Sequence, residues 1–197
     1  MSAYTSIGDI CETLKKLLED DPWTGISPKP DISLKSPMEI KSDGSNPNKV
    51  SLFLYQISEN IFLKNEETQR MNGGRLLSPP LFLELGFLVT PYSNDPVQEK
   101  YILGKVMQIL FDTPVMYGSS LQGGLAGQDD EVRILLNPLS LDDLTKLWSA
   151  FQDVPFRLSV GYSLTPVKIE SSRELSIQRV VSKELDHAYA ALKGKEG

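Results

Sequence analysis

The sequence predicts an α+β domain with a sheet at its centre, and three observations carry that prediction. Two apolar runs, residues 50–57 and 81–90, are dense in Leu, Phe and Val, bounded by turn residues and of strand length. Residues 156–165 alternate Phe156, Leu158, Val160, Tyr162 and Leu164 with Arg157, Ser159, Gly161, Ser163 and Thr165, the pattern of a strand with one apolar and one polar face. Stretches 6–19 and 96–112 instead repeat apolar residues at three-and-four spacing, which marks amphipathic helices.

The totals bound the class. A chain of 197 residues suits one domain, residues 1–170, followed by a charged appendage, residues 171–197. At 40% hydrophobic and 23% charged it has the composition of a protein with a core. The formal net charge of −6 argues against nucleic-acid binding, which needs clustered Lys and Arg to neutralise phosphates. The single cysteine, Cys11, excludes an intramolecular disulfide and a cysteine-based zinc site. The first ten residues lack the basic start and apolar core of a signal peptide, and no apolar run approaches the ~20 residues of a membrane span. Folding in the cytoplasm, without a membrane partner, is the expectation.

Taken in order, helix 6–19 places Ile7, Ile10, Cys11, Leu14, Leu17 and Leu18 on one face, with Ser6 and Asp9 spaced as a capping box. Pro22, Gly25, Pro28 and Pro30 stop it, and Ile32–Leu34 reads as a short edge strand. Residues 42–49 are turn-formers. In 50–57 both alternating sets are apolar, so that strand lies inside a sheet covered on both faces. In 81–90 Leu81, Leu83, Leu85, Phe87 and Val89 share one face. Between these runs, residues 66–78 form a polar loop around Asn72, Gly73 and Gly74, too long for a tight hairpin turn. Asp95, Pro96 and Gln98 cap the second helix, whose apolar face is Ile102, Leu103, Val106, Met107, Ile109 and Leu110; Gly104 leaves room there for a neighbouring backbone. A glycine-rich loop, 118–130, precedes a strand at 131–136. Ser140 and Asp143 cap a third helix with Leu141, Leu144, Leu147, Trp148 and Phe151 on its core face. Pro166, late in the strand that follows, requires an edge or a bulge. The appendage carries a weak helical stripe, Ile177, Val181, Ala188 and Leu192, and reads as a tail in the free protein.

Catalytic constellations are missing from this pattern. The 118–127 glycine loop lacks the Lys-Ser or Lys-Thr ending of a phosphate cradle, and Asp129 and Asp130 at its end repel phosphate. Asp142 and Asp143 fall in a helix's first turn, where negative charge is favourable, and no third ligand stands at metal-binding spacing. His187, the sole histidine, lies in the appendage, and Cys11 lies on an apolar helix face, so neither suits a nucleophilic triad. No catalytic, metal or cofactor residue is assigned, and an enzyme is not expected. Arg75, Arg133 and Arg157 are the candidates for contact with a partner.

Five strings in order, SLFLYQISENIFLKN, Arg75 with SPPLFLELGFLVTPY, EKYILGKVMQILFDTPV, LSLDDLTKLWSAF and PFRLSVGYSLTPVKI, resemble the tail-terminator or cap family of phage-tail-like contractile injection systems, of the antifeeding-prophage type. The likeness runs from Tyr4 to Ile169; loop 118–130 and the tail after Ser171 depart from it. The resemblance implies a mostly antiparallel sheet flanked by helices, similar to phage tail terminators. It also implies a structural protein: a homo-hexameric ring at the distal end of inner tube and sheath that stops their polymerisation, sets length and holds the last sheath layer. The particle would assemble in the cytoplasm and be released or anchored. On this reading subunits meet head to tail, with Asn72, Gly73, Gly74 and Arg75 in one contact loop, Gly123 and Gly124 in another, and Arg133 and Arg157 on the partner-facing surface. Strand addition from sheath at 156–165 or 32–34 is a further expectation. The rival readings are a baseplate adaptor or tube initiator of the same particle, and a ligand-binding regulatory α+β domain.

Overall fold

The alternation of apolar residues resolves into a six-stranded sheet in the computed structural model, which describes residues 4–40, 46–64, 70–71, 75–127, 130–152, 154–172 and 174–176. Its elements run α1 (Ser6–Asp20), β1 (Asp31–Ser33), β2 (Lys49–Glu59), β3 (Arg70–Met71), β4 (Arg75–Leu77), β5 (Leu81–Tyr92), α2 (Pro96–Asp112), β6 (Val115–Tyr117), β7 (Glu131–Asn137), α3 (Leu141–Ser149), β8 (Val160–Ile169) and β9 (Glu174–Ser176). The sheet order is β1-β2-β5-β8-β7-β6, and only the β1–β2 pair is parallel. The fold is thus α+β, with a mostly antiparallel sheet flanked by helices. The chain divides into two units, one of Met1–Glu66 with Pro80–Glu170 and one of Glu67–Pro79 with Ser171–Gly197.

In the first unit the sheet is clothed on both faces. Leu83, Leu85, Phe87 and Val89 of β5 join Ile10, Leu14 and Leu18 of α1 and Ile102, Val106 and Leu110 of α2 in the principal core. On the opposite face Leu88 packs with Trp148 of α3 and Phe151 just beyond that helix, ringed by Phe53 and Tyr55. Period-2 alternation therefore splits β5 between two cores, and β2 is apolar on both sides for the same reason. A bulge at Tyr55 then shifts the β2 register, and Ile57 beyond it is half exposed. Trp148 and Phe151 meet edge to face at 5.5 Å. Leu141, placed on that core face by its spacing, is exposed because it stands at the first turn, ahead of the contact.

Two cap expectations shift. The α1 N-cap is Thr5, not Ser6; Ser6 is buried in the first turn, and the Thr5 hydroxyl donates to Asp9 Oδ2 at 3.0 Å. Asp95 does cap α2, accepting from Val97 N–H at 2.9 Å, with Pro96 first in the helix. The back-bond comes from Glu99 rather than Gln98, accepting from Ser93 N–H at 3.4 Å. Ser140 caps α3 as its spacing predicts, accepting from Asp143 N–H at 3.1 Å.

The strand expected at 156–165 lies four residues further on and is not half-solvated. Pairing with β5 ends at Val89–Val160 and with β7 at Asn137–Gly161, because Pro138 turns the chain away. Phe156 and Leu158 precede the strand and are exposed. Ser163, assigned to the polar face, is buried and donates to Glu84 Oε1 at 2.5 Å. Alternation reports which residues differ in polarity; it does not report whether the polar ones meet water or a partner. Over Gly161–Leu164 β8 is paired on both sides, by β5 and β7, so that part of the expected strand offers no edge for strand addition. Pro166 sits in a bulge, where β5 pairing passes from Leu85–Leu164 to Leu83–Val167.

The second unit holds a three-stranded sheet, β3-β4-β9. The loop expected at 66–78 contains a hairpin, Met71 pairing with Arg75, and β4 pairs on its other edge with Glu174–Ser176. These strands of two and three residues are too short for periodicity to register. Residues 177–197 lie outside the described residues, as do Asn72, Gly73 and Gly74.

Candidate functional site

A site built for chemistry would need converging polar groups, and the first unit offers few. Among the described residues no three His, Cys, Asp or Glu side chains stand close enough to hold a metal ion. Cys11 is half-buried on α1, and burial, helped by Glu12, pushes its thiol up to about 11, so it rests as a packed protonated group. An open depression lined by Thr13, Lys16, Asp20, Thr113, Ser120 and Gln122 has a volume of about 270 Å³. Small-molecule sites span roughly 300–1,000 Å³ and are mostly enclosed and apolar. The candidate contact residues lie instead on loops and strand surfaces.

The first is the glycine-rich loop. It closes against α1 through two short 3-10 turns, Gly118–Ser120 and Gly123–Leu125. Leu121 and Leu125 project from it into the principal core, each almost fully buried. Gln122 N–H donates to Thr13 Oγ1 at 2.9 Å, and Gly124 N–H donates to Asp9 Oδ2 at 3.0 Å. Gly123 has φ +62°, and a Cβ there would sit 2.1 Å from the Asp9 carboxylate. Asp9, read from sequence as half of a helix cap, therefore clasps this loop as well. Gly123 and Gly124 are exposed on a braced surface.

The arginines occupy different settings. Arg157 Nη1 donates to Glu99 Oε1 at 2.5 Å, and its guanidinium lies 4.8 Å from the centre of the Tyr92 ring. Burial pushes the Tyr92 phenol up to about 12, against the pull of Arg157 in the other direction. This cluster ties the start of α2 to the extended chain before β8. Arg133, on β7 near the sheet's edge, is exposed and paired with Glu131 at 2.7 Å. Arg75 opens β4 in the second unit. The structure thus places Gly123, Gly124, Arg133 and Arg157 in the first unit and Arg75 in the second.

Two buried groups escaped the sequence reading. Trp23, in the segment taken as a helix stop, is fully buried; its indole N–H donates to Leu18 O at 2.8 Å and covers the α1 C-terminus. Leu121 and Leu125 stand among glycines. A lone large apolar residue in a polar loop was the available signal in each case.

Open backbone edges complete the surface. β1 covers β2 over Lys49–Ser51, so among the described residues 52–59 of β2 pair with β5 alone. β1 is itself an edge strand, as Ile32–Leu34 suggested, one residue earlier than read.

The first unit thus presents a two-faced antiparallel sheet flanked by helices, with a glycine-rich loop braced against α1. Residues 9–183 match the Pvc16 N-terminal domain family, and the chain belongs to that family. Among solved structures it is similar to the PVC sheath/tube terminator of an extracellular contractile injection system in its extended state, with TM-score 0.65 and 21% identity, covering 96% of this chain and 66% of that one. It is also similar to the anti-feeding prophage tube-terminating cap, with TM-score 0.61 and 21% identity, covering 90% of this chain and 61% of that one. The chain thus spans about two thirds of the length of these relatives. Among curated proteins none matches it.

Proposed function

We propose that this chain terminates the tube and sheath of a contractile injection particle, as a ring-forming structural cap and not as an enzyme. The observation that carries the reading is the shared fold over 96% of the chain with a sheath/tube terminator, together with the family match. The finer proposal is a six-fold ring at the distal end that stops polymerisation of both tubes, sets their length and anchors the last sheath layer. Assembly takes place in the cytoplasm, and the finished particle carries the protein wherever it goes.

Head-to-tail ring contacts are assigned to the segment Asn72, Gly73, Gly74 and Arg75 and to the loop bearing Gly123 and Gly124. Arg133 and Arg157 are assigned to partner-facing surface. The exposure of Gly123, Gly124 and Arg133 supports this; Arg157 is the most engaged of the four within its own unit. Sheath strand addition is assigned to β1 and to the single-paired stretch of β2, whose main-chain groups on one side lack a strand partner.

The test is electron microscopy of particles from cells with and without the gene, scoring length and end structure. The cap reading expects uncontrolled length, or sheath and tube that separate, without a closed distal end. Uniform particles with normal ends overturn it.

A further inference from the structure

Helix α2 has two apolar faces, and the first unit uses one. Ile102, Leu103, Val106, Ile109 and Leu110 are buried in the principal core. On the outward side Val97 is 52%, Tyr101 61% and Phe111 83% exposed. With Gly104 and Gln108 these residues recur at steps of four, three, four and three, which draws a nearly straight stripe along an α-helix. The other two helices present different outward faces: Glu12, Lys16, Glu19 and Asp20 on α1, and Asp142, Thr145, Lys146 and Ser149 beside a single Leu141 on α3. Gly104 adds a second anomaly. Glycine lowers helix stability relative to alanine, and a Cβ at this position would meet nothing within 4 Å. No packing inside the unit calls for it. What the missing Cβ permits is close approach of another backbone at the midpoint of the stripe.

We propose that this stripe is a self-association surface, with α2 of a second copy lying antiparallel across it and a two-fold axis at Gly104. The stripe selects this occupant. Its three-four period is the one another helix complements. Its order is self-complementary about the axis: glycine faces glycine where the backbones come closest, and Val97 of each copy falls opposite Phe111 of the other, the smaller side chain against the larger. None of its five residues is charged, whereas the chain carries a net −6 and the outward faces of α1 and α3 hold carboxylates. Two copies meet along α2 without burying like charges, and the antiparallel arrangement opposes the two helix dipoles. The apolar area is roughly 400 Å² per copy, estimated from two partly exposed aromatics and a valine. A stable complex buries about 800 Å² per partner, so the contact is a weak dimer that forms and dissociates with concentration. It goes beyond the terminator reading and does not rest on it.

Sedimentation velocity of the full chain over a concentration series tests the contact, with three variants. Phe111→Ser weakens dimerisation by about tenfold or more. Gly104→Leu raises the melting temperature of the monomer, because leucine favours helix, yet abolishes the dimer. Gly104→Cys gives a disulfide-linked dimer under mild oxidation, since only a close crossing at that residue brings the two Cα atoms within bridging distance; the unmodified chain does not cross-link, its Cys11 being half-buried with a raised pKa. A monomer at every concentration overturns the proposal, as does a dimer or larger ring indifferent to Phe111→Ser and Gly104→Leu. A dimer that Gly104→Cys fails to capture overturns the two-fold geometry.

Discussion

A methyl group at Gly161 would sit 2.6 Å from the carbonyl oxygen of Asn137 and 2.9 Å from Leu139 Cγ. β7 leaves the sheet at that point, and its departing backbone crosses directly over β8. Gly161→Ala is therefore expected to cost about 1–3 kcal/mol through overpacking, measured as a lower urea midpoint with an unchanged slope. At the glycine loop the constraint is electrostatic as well as steric. Asp9 Oδ2 accepts from Thr5 Oγ1 and Gly124 N–H, and bonds to a charged acceptor contribute about 1.5–3 kcal/mol each when unscreened. Both lie near solvent, so Asp9→Ala is expected to cost about 1–2 kcal/mol in all, with amide exchange accelerating at Gln122 and Gly124 before the rest of the unit. Sequence spacing found Asp9 but gave it a cap partner in its own helix. Its second partner lies 115 residues away, beyond the reach of any local pattern.

At the scale of elements, Asp95 and Ser140 cap α2 and α3 as local chemistry predicts, whereas α1 begins at Thr5 and not at Ser6. The Ser140 hydroxyl bond to Asp143, at 2.6 Å, holds the Asp143 carboxyl below its ordinary value, with burial opposing. A carboxyl whose pKa is depressed on folding adds stability that is complete above the unfolded pKa and is lost as pH falls through the folded one. Ser140→Ala should therefore lower the melting temperature at neutral pH, and its gap from the parent should narrow in acid. A gap constant from pH 7 to about pH 2 would contradict the assignment. Trp148 is the centre of the smaller core, touching Phe151 and Phe156, and Trp148→Ala is expected to cost about 3–5 kcal/mol. The helices were legible because each repeats its pattern over two turns or more. The hairpin of β3 and β4 and strands β6 and β9 were not, because two or three residues carry no period and their pairing is decided by distant chain. The shift of β8 has the same origin. Phe156 and Leu158 continue the alternation, but Pro138 has already taken β7 away from them.

On the scale of the whole molecule, the proposed ring and sheath contacts make a prediction separable from folding. Arg133 is exposed and among the described residues pairs with an exposed glutamate two residues away, so Arg133→Glu should change stability by no more than about 0.5 kcal/mol. If the sheet edge meets sheath or a neighbouring cap, the same change disturbs particle ends, seen as frayed or over-long particles by electron microscopy. Normal ends would remove Arg133 from the contact. The α+β class, the three helices and the two-faced strand β2 were determined by the sequence alone, since each follows from periodicity or caps within a short window. The tertiary structure decided which polar residues are buried with a partner, such as Ser163 with Glu84, and which glycines are required by crowding, such as Gly161. It also decided that the chain before β8 stays outside the sheet and that Gly118–Gly127 is braced by α1. These depend on contacts between residues far apart in the chain, and such contacts leave no local signature because either partner alone is compatible with many environments.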